Sequence, residues 1–161
     1  DCAIHFTDLV QGPQHAALGK SLADFVVRRK DGRDAYQLAV VVDDAAQGIT
    51  QVVRGSDLLD STPRQIFLQQ QLTYRTPRYA HLPVITTGQG QKFSKQNHAP
   101  ALNNEQAADN LRCALRFLRQ ADPPPTLTGA EQLLSYAIEH WVLQQVPATM
   151  AIPASSIGMC A

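Results

Sequence analysis

The apolar pattern of this 161-residue chain changes period once, near Pro100, and that change restricts the folds open to it. Before Pro100 the apolar residues fall in short β-branched and aromatic runs punctuated by Gly, Asp and Pro; after it they recur every three to four residues. Residues 23–29 and 36–42 read as two paired strands joined by the polar turn Lys30-Asp31-Gly32-Arg33. Asp43-Asp44 closes the second, Gly48 turns the chain, and residues 49–53 read as a third strand ending at Arg54-Gly55. Ser61 or Thr62 can cap the helix that follows, and Pro63 suits its first turn, where a missing N–H leaves nothing unpaired. That helix is expected to reach Tyr74, with Ile66, Phe67 and Leu72 inward. Residues 79–85 then read as a buried strand and residues 86–92 as a Gly-rich loop. Strands alternating with a crossover helix predict an α/β fold whose sheet is at least partly parallel.

Beyond Pro100 only helices are expected. Leu111, Ala114, Leu115 and Leu118 make one apolar stripe over residues 104–120, which Pro123-Pro124-Pro125 stops. Thr128-Gly129-Ala130-Glu131 has capping-box spacing. Leu134, Ala137, Ile138 and Trp141 would form the inward face of the next helix, with Tyr136 packing among them, and the chain after Pro147 is expected to be irregular or one short turn. Three regions follow: an irregular leading segment at 1–22, a sheet-containing region at 23–100 and a small helical region at 101–161.

Bulk properties exclude some functions. At 44% hydrophobic the chain can bury one ordinary core. Fourteen Lys and Arg balance fourteen Asp and Glu, so no overall field announces a nucleic-acid partner and any such contact must be local. Cys2, Cys113 and Cys160 are odd in number and far apart, which suits neither a disulfide framework nor a CxxC metal pair. No apolar run approaches the roughly 20 residues that span a bilayer. A soluble, cytoplasmic monomer is expected. The sequence opens at Asp1 without Met, which suggests a processed or truncated piece.

Chemistry concentrates in the loop. Gly88 and Gly90 precede Lys92-Phe93-Ser94-Lys95, so a mobile turn carries two ammonium groups close behind a buried strand. That arrangement suits a triphosphate, whose charge grows on the leaving group during transfer. Other readings of single residues stand beside this one. Lys92 and Lys95 can be solvated charges, Tyr36 a strand aromatic, and Arg54 a structural partner of Asp57 across the turn. His5, His15 and His140 lack metal-ligand spacing, Arg28-Arg29-Lys30 fits a solvated hairpin tip, and Cys113 falls near the apolar stripe.

Several ordered segments carry a resemblance. Asp34-Ala35-Tyr36-Gln37-Leu38-Ala39-Val40-Val41-Val42-Asp43-Asp44 is followed by Gly48-Ile49-Thr50-Gln51-Val52-Val53-Arg54-Gly55-Ser56-Asp57-Leu58-Leu59, Thr62-Pro63-Arg64-Gln65, His81-Leu82-Pro83 and Lys92-Phe93-Ser94-Lys95-Gln96. Together these resemble the second half of the catalytic domain of class I glutamyl-tRNA synthetases, with residues 92–96 standing where that family keeps its KMSKS signature. The continuation Lys95-Gln96-Asn97-His98-Ala99-Pro100-Ala101-Leu102 is more similar to the shortened paralogues, the glutamyl-Q (glutamyl-queuosine) tRNA(Asp) synthetases. The chain after the loop is also too short for the helical anticodon-binding region of a full glutamyl-tRNA synthetase.

The resemblance implies the second half of a Rossmann-type catalytic domain at 23–100, followed by a helical carboxyl-terminal region. It implies an enzyme that activates L-glutamate with ATP to glutamyl-adenylate and transfers glutamate to the queuosine base in the anticodon loop of tRNA(Asp). Tyr36 and Arg54 match positions that hold glutamate, Lys92 and Lys95 the signature lysines that act on the phosphates, and His81 and Leu82 the segment lining the adenine through backbone groups. Phe93 and Gln96 depart from the usual signature. No HIGH-like segment is found, and no cysteine cluster matches the zinc site implied for the other half of such an enzyme; Cys2 alone cannot make one, since structural zinc takes about four ligands. Two alternatives stay open: a non-catalytic nucleotide- or RNA-binding module derived from such an enzyme, and a shortened discriminating glutamyl-tRNA synthetase.

Overall fold

Within the leading segment expected to be irregular, β1 (Cys2–Asp8) pairs antiparallel with β2 (Gly12–Leu18), Ile4 opposite Ala16 and Asp8 opposite Gly12. The cause is a period-2 alternation: Ile4 and Asp8 are buried and Phe6 half-buried, while His5 and Thr7 face solvent. Asp8 also builds the turn, its Oδ1 accepting the N–H groups of Val10 at 3.0 Å and Gln11 at 2.9 Å, and Gly12 takes φ +74°. The computed structural model describes residues 2–19, 24–94 and 101–157, with the side chains of Cys2 and Leu18 excepted. The chain divides into two compact units, residues 1–82 and 83–161.

The expected strand at 36–42 is instead a helix, α1 (Tyr36–Ala46), which runs through Asp43 and Asp44. A five-residue apolar run satisfies either period, and here the wet face decides: only Val41 is buried, while Val42 and Asp43 are exposed. Ala35, the residue before the helix, offers no capping side chain, so the usual start signal is missing. With no strand at 36–42 to pair with, residues 24–29 form none either. Only the bridge between Arg28 and Asp34 and the turn at Gly32 remain of the expected hairpin.

β3 (Gln51–Gly55) lies parallel to β4 (Arg78–Leu82), with Arg54 directly opposite His81. Their connection is a 3-10 segment, Ser56–Ser61, and α2 (Thr62–Gln71), so a strand–helix–strand crossover is present as the alternation required. Ser61 does not cap α2; its backbone is already helical and its side chain makes no cap bond. The helix stops at Gln71, where Thr73 has φ 56°, and Leu72 is exposed rather than inward. Ile4, Ile66 and Tyr79 form the core of the first unit, with Phe6, Val52 and Phe67 packed against them. A fully buried aliphatic side chain such as Ile4 or Ile66 contributes roughly 1.5–3 kcal/mol by leaving water.

The expected strand at 79–85 breaks at Pro83, which has no N–H to continue a ladder. Beyond it β5 (Val84–Thr86) pairs in parallel with β6 (Ala151–Pro153), a strand within the stretch expected to be irregular. Between them lie α3 (Ala107–Phe117) and α4 (Ala130–Glu139), whose buried residues are Leu115 and Phe117 on α3 and Leu133 on α4. The inward face of α4 is therefore one residue off the expectation: Leu134, Ile138 and Trp141 are exposed, while Leu133 is fully buried. Gln132 Oε1 caps this helix by accepting the Gly129 N–H at 3.2 Å, which sets the start at Ala130 and puts Leu133 inward with Tyr136 and Ala137 half-buried. On α3, Ala114 is exposed, and the helix ends at Phe117 ahead of the prolines, Arg119 taking φ 54°. Arg112 ties α3 to the proline segment by donating to the carbonyls of Pro123, Pro124 and Leu127 at 2.8, 3.0 and 2.6 Å.

Candidate active site

The carboxyl ends of β3 and β4 bring a charged side chain and a buried imidazole together. Opposite positions of a parallel pair place Arg54 and His81 side by side, and Arg54 Nε donates to His81 Nε2 at 3.0 Å. An arginine nitrogen can only donate, so His81 Nε2 is the acceptor and carries no proton. The imidazole proton is then on Nδ1, which donates to Asp8 Oδ2 at 2.6 Å. Asp8 Oδ1 meanwhile accepts the His81 backbone N–H at 3.1 Å in addition to those of Val10 and Gln11. Thr62, at the first position of α2, accepts Arg54 Nη2 at 2.8 Å and stands 3.1 Å from His81 Nε2. β4 and α2 thus hold the guanidinium of β3 directly, and the end of β1 holds the imidazole.

Charge follows the same geometry. Burial alone would push the Asp8 carboxyl up, but hydrogen bonds from the Gln11 backbone, the His81 ring and the backbones of His81 and Val10 hold it below the usual carboxylate value of 3.8. Burial pushes His81 below its ordinary 6.5 and the Arg54 charge adds to this, while the bond to Asp8 opposes them without prevailing. The pair is an ionised carboxylate and a neutral imidazole rather than an ion pair. Arg54 also lies 5.4 Å from the centre of the Tyr79 ring, and that ring stacks on His81 at 6.0 Å. Burial raises the Tyr79 phenol above 10, against the Gln69 hydrogen bond and the Arg54 charge, which lower it. Arg54 is half-buried, and its Nη1 makes no hydrogen bond among the described residues. A guanidinium held at Nε and Nη2 with Nη1 unused is prepared to take an anionic oxygen.

Of the residues singled out by sequence, Tyr36, Arg54, His81 and Leu82 belong to the first unit. Tyr36 opens α1 with its side chain half exposed, on a helix and not at the strand end expected for it. Arg54 bonds His81 and Thr62, so the alternative reading of it as a structural partner of Asp57 does not describe how its guanidinium is held. His81 is fully buried; its N–H donates to Asp8 Oδ1 and its carbonyl accepts from Gln11 Nε2 at 2.8 Å, while Leu82 ends β4 half-buried. Lys92 belongs to the second unit, exposed, its backbone bridging Thr86 after a turn closed by Thr87 N–H to Gln91 O at 2.8 Å. Lys95 and the continuation through Pro100 lie outside the described residues. Asp8, Thr62 and Tyr79 were not expected at the site. Asp8 had a legible signal, a carboxylate in phase with Ile4 and Phe6; Thr62 read as a cap and Tyr79 as strand packing. Among the described residues no three His, Cys, Asp or Glu converge to hold a metal, and no helix is long and apolar enough to cross a membrane.

The first unit is thus a parallel strand–helix–strand crossover with a half-buried arginine and a buried histidine side by side at its strand ends. Residues 1–122 match the family model described as tRNA synthetases class I (E and Q), catalytic domain, and the chain belongs to that family. It is 48% identical to the glutamyl-Q tRNA(Asp) synthetase of Pseudomonas fluorescens over 95% of this chain and 52% of that protein. It is 51% identical to the protein of the same name from Neisseria meningitidis over 91% of this chain and 50% of the relative. The chain spans about half the length of these curated relatives. A glutamate-tRNA synthetase structure from Elizabethkingia anophelis superposes over 98% of this chain and 36% of its own with a TM-score of 0.73; at 20% identity this likeness is one of fold.

Proposed function

We propose that this chain forms the carboxyl-terminal half of a ligase that activates glutamate with ATP and transfers it to the queuosine base of tRNA(Asp). Arg54 takes a glutamate carboxylate through Nη1, and Tyr36 adds a phenol hydroxyl from the first turn of α1. A carboxylate oxygen of glutamate attacks the α-phosphorus of ATP, the bond from that phosphorus to the bridging oxygen breaks, and pyrophosphate leaves. Lys92 and Lys95 neutralise charge on the departing phosphates, while Leu82 contacts the adenine. The protein supplies positioning and electrostatic stabilisation, with no covalent intermediate on its own side chains. The enzyme acts as a cytoplasmic monomer.

The observation that carries this reading is the arginine fixed at two nitrogens, with the third making no hydrogen bond among the described residues. The names of the relatives supply the substrates. The test joins the chain to the amino-terminal half of a relative and measures ATP–pyrophosphate exchange with and without glutamate, then transfer to tRNA(Asp) with and without queuosine. Glutamate-dependent exchange with transfer confined to queuosine-containing tRNA supports the proposal. Phosphate binding without exchange makes the chain a non-catalytic module, and transfer to the terminal adenosine of either tRNA makes it a glutamyl-tRNA synthetase.

A further inference from the structure

The hydrogen bonds around His81 can be satisfied in only one proton arrangement. Three backbone N–H groups occupy Asp8 Oδ1, so Oδ2 is the oxygen left for the imidazole, and at 2.6 Å from Nδ1 it requires the proton there. Nε2 is then a lone pair aimed at Arg54 Nε, 3.0 Å away. The carboxylate and the imidazole are both fully buried, so water does not compete for either. An Nε2–H tautomer, or an imidazolium, would set one N–H against another at that distance.

We propose that Asp8 and His81 are positioning residues for glutamate binding: Asp8 locks His81 as the Nδ1–H tautomer, and His81 Nε2, with Thr62, fixes the Arg54 guanidinium so that Nη1 presents to the substrate carboxylate. The inference rests on the reading of Arg54 given above. It assigns the β1–β2 hairpin, remote in sequence from every substrate-contacting residue, a part in substrate recognition. It also singles out one substitution. In Asp8→Asn the three backbone donors keep the amide oxygen where Oδ1 stands, so the amide NH2 faces Nδ1, the imidazole proton moves to Nε2, and the contact to Arg54 becomes a clash of donors.

The first experiment is a long-range 1H–15N spectrum of the 161-residue chain at pH 7.5. His81 is expected as a neutral Nδ1–H imidazole; the Nε2–H tautomer or an imidazolium would overturn the proposal without any variant. The second measures glutamate-dependent pyrophosphate exchange in the joined enzyme. Asp8→Asn should raise the KM for glutamate about tenfold, the scale of one charge-assisted contact, with kcat and the KM for ATP nearly unchanged. His81→Gln, whose amide oxygen can replace Nε2 as acceptor, should retain most of the glutamate affinity that His81→Leu loses. Arg54→Ala separates the two readings. If it impairs glutamate use while Asp8→Asn does not, the positioning role is wrong; if Arg54→Ala itself leaves glutamate KM unchanged, the assignment of Arg54 fails first.

Discussion

Gln69 Nε2 donates to the Tyr79 hydroxyl at 2.9 Å, and both side chains are buried beneath the face of β4 that carries His81. The other end of the same amide, Gln69 Oε1, is buried with no hydrogen-bond partner among the described residues. The Tyr79 ring in turn packs beside Arg54, so this bond helps hold the floor on which the guanidinium rests.

Tyr79→Phe should therefore destabilise the first unit by about 1–3 kcal/mol, because it leaves the whole Gln69 amide unsatisfied. Gln69→Leu in that background should recover part of the loss, since an apolar group removes the orphaned polar atoms. Urea unfolding of the two single variants and the double variant measures the coupling; strictly additive effects would contradict the bond's role.

Stability should fall on acidification in two steps. His81 has a depressed folded-state value, so the unfolded chain binds the extra proton first, and stability drops as pH falls from about 6.5 toward the folded value. Asp8 is also depressed, so its contribution is present above 3.8 and is lost as pH falls below that through its folded value. Asp8, Arg54 and Asp57 are the charged groups facing the ring. In each window the slope is at most about 1.4 kcal/mol per pH unit per group. A urea midpoint unchanged between pH 7.5 and pH 5 would count against the buried neutral imidazole.

On α4, Leu133→Ala should cost about 2–5 kcal/mol and Leu134→Ala under about 0.5 kcal/mol, since the first is fully buried and the second exposed. Equal losses would mean that the helix face is misplaced. In the loop before Lys92, Gly90 has φ +80° with open space around its α-carbon, so Gly90→Ala is opposed by backbone strain alone, about 1 kcal/mol. Under the proposed phosphate role it should raise the KM for ATP more than that for glutamate.

The crossover from β3 through α2 to β4 was legible because Gly48, Pro63 and the β-branched runs mark its boundaries locally. Leu38-Ala39-Val40-Val41-Val42 misled because β-branched residues favour strands in general, whereas a surface helix needs only one buried stripe, here met by Val41. Arg54 stood out through its place in an ordered set of segments. Its partners did not, because Asp8 and His81 are brought together by tertiary pairing across 73 positions, a separation no local pattern encodes. The resemblance named which arginine to watch; the hydrogen bonds around it supply the physical reason it is held.

The central claim is that Arg54 receives the glutamate carboxylate. Steady-state pyrophosphate exchange by the joined enzyme carrying Arg54→Ala tests it most directly. The account expects the KM for glutamate to rise by about one to two orders of magnitude, the equivalent of a lost charged hydrogen bond, while the KM for ATP stays within about twofold. A parallel rise in both constants, or no change in either, would contradict it.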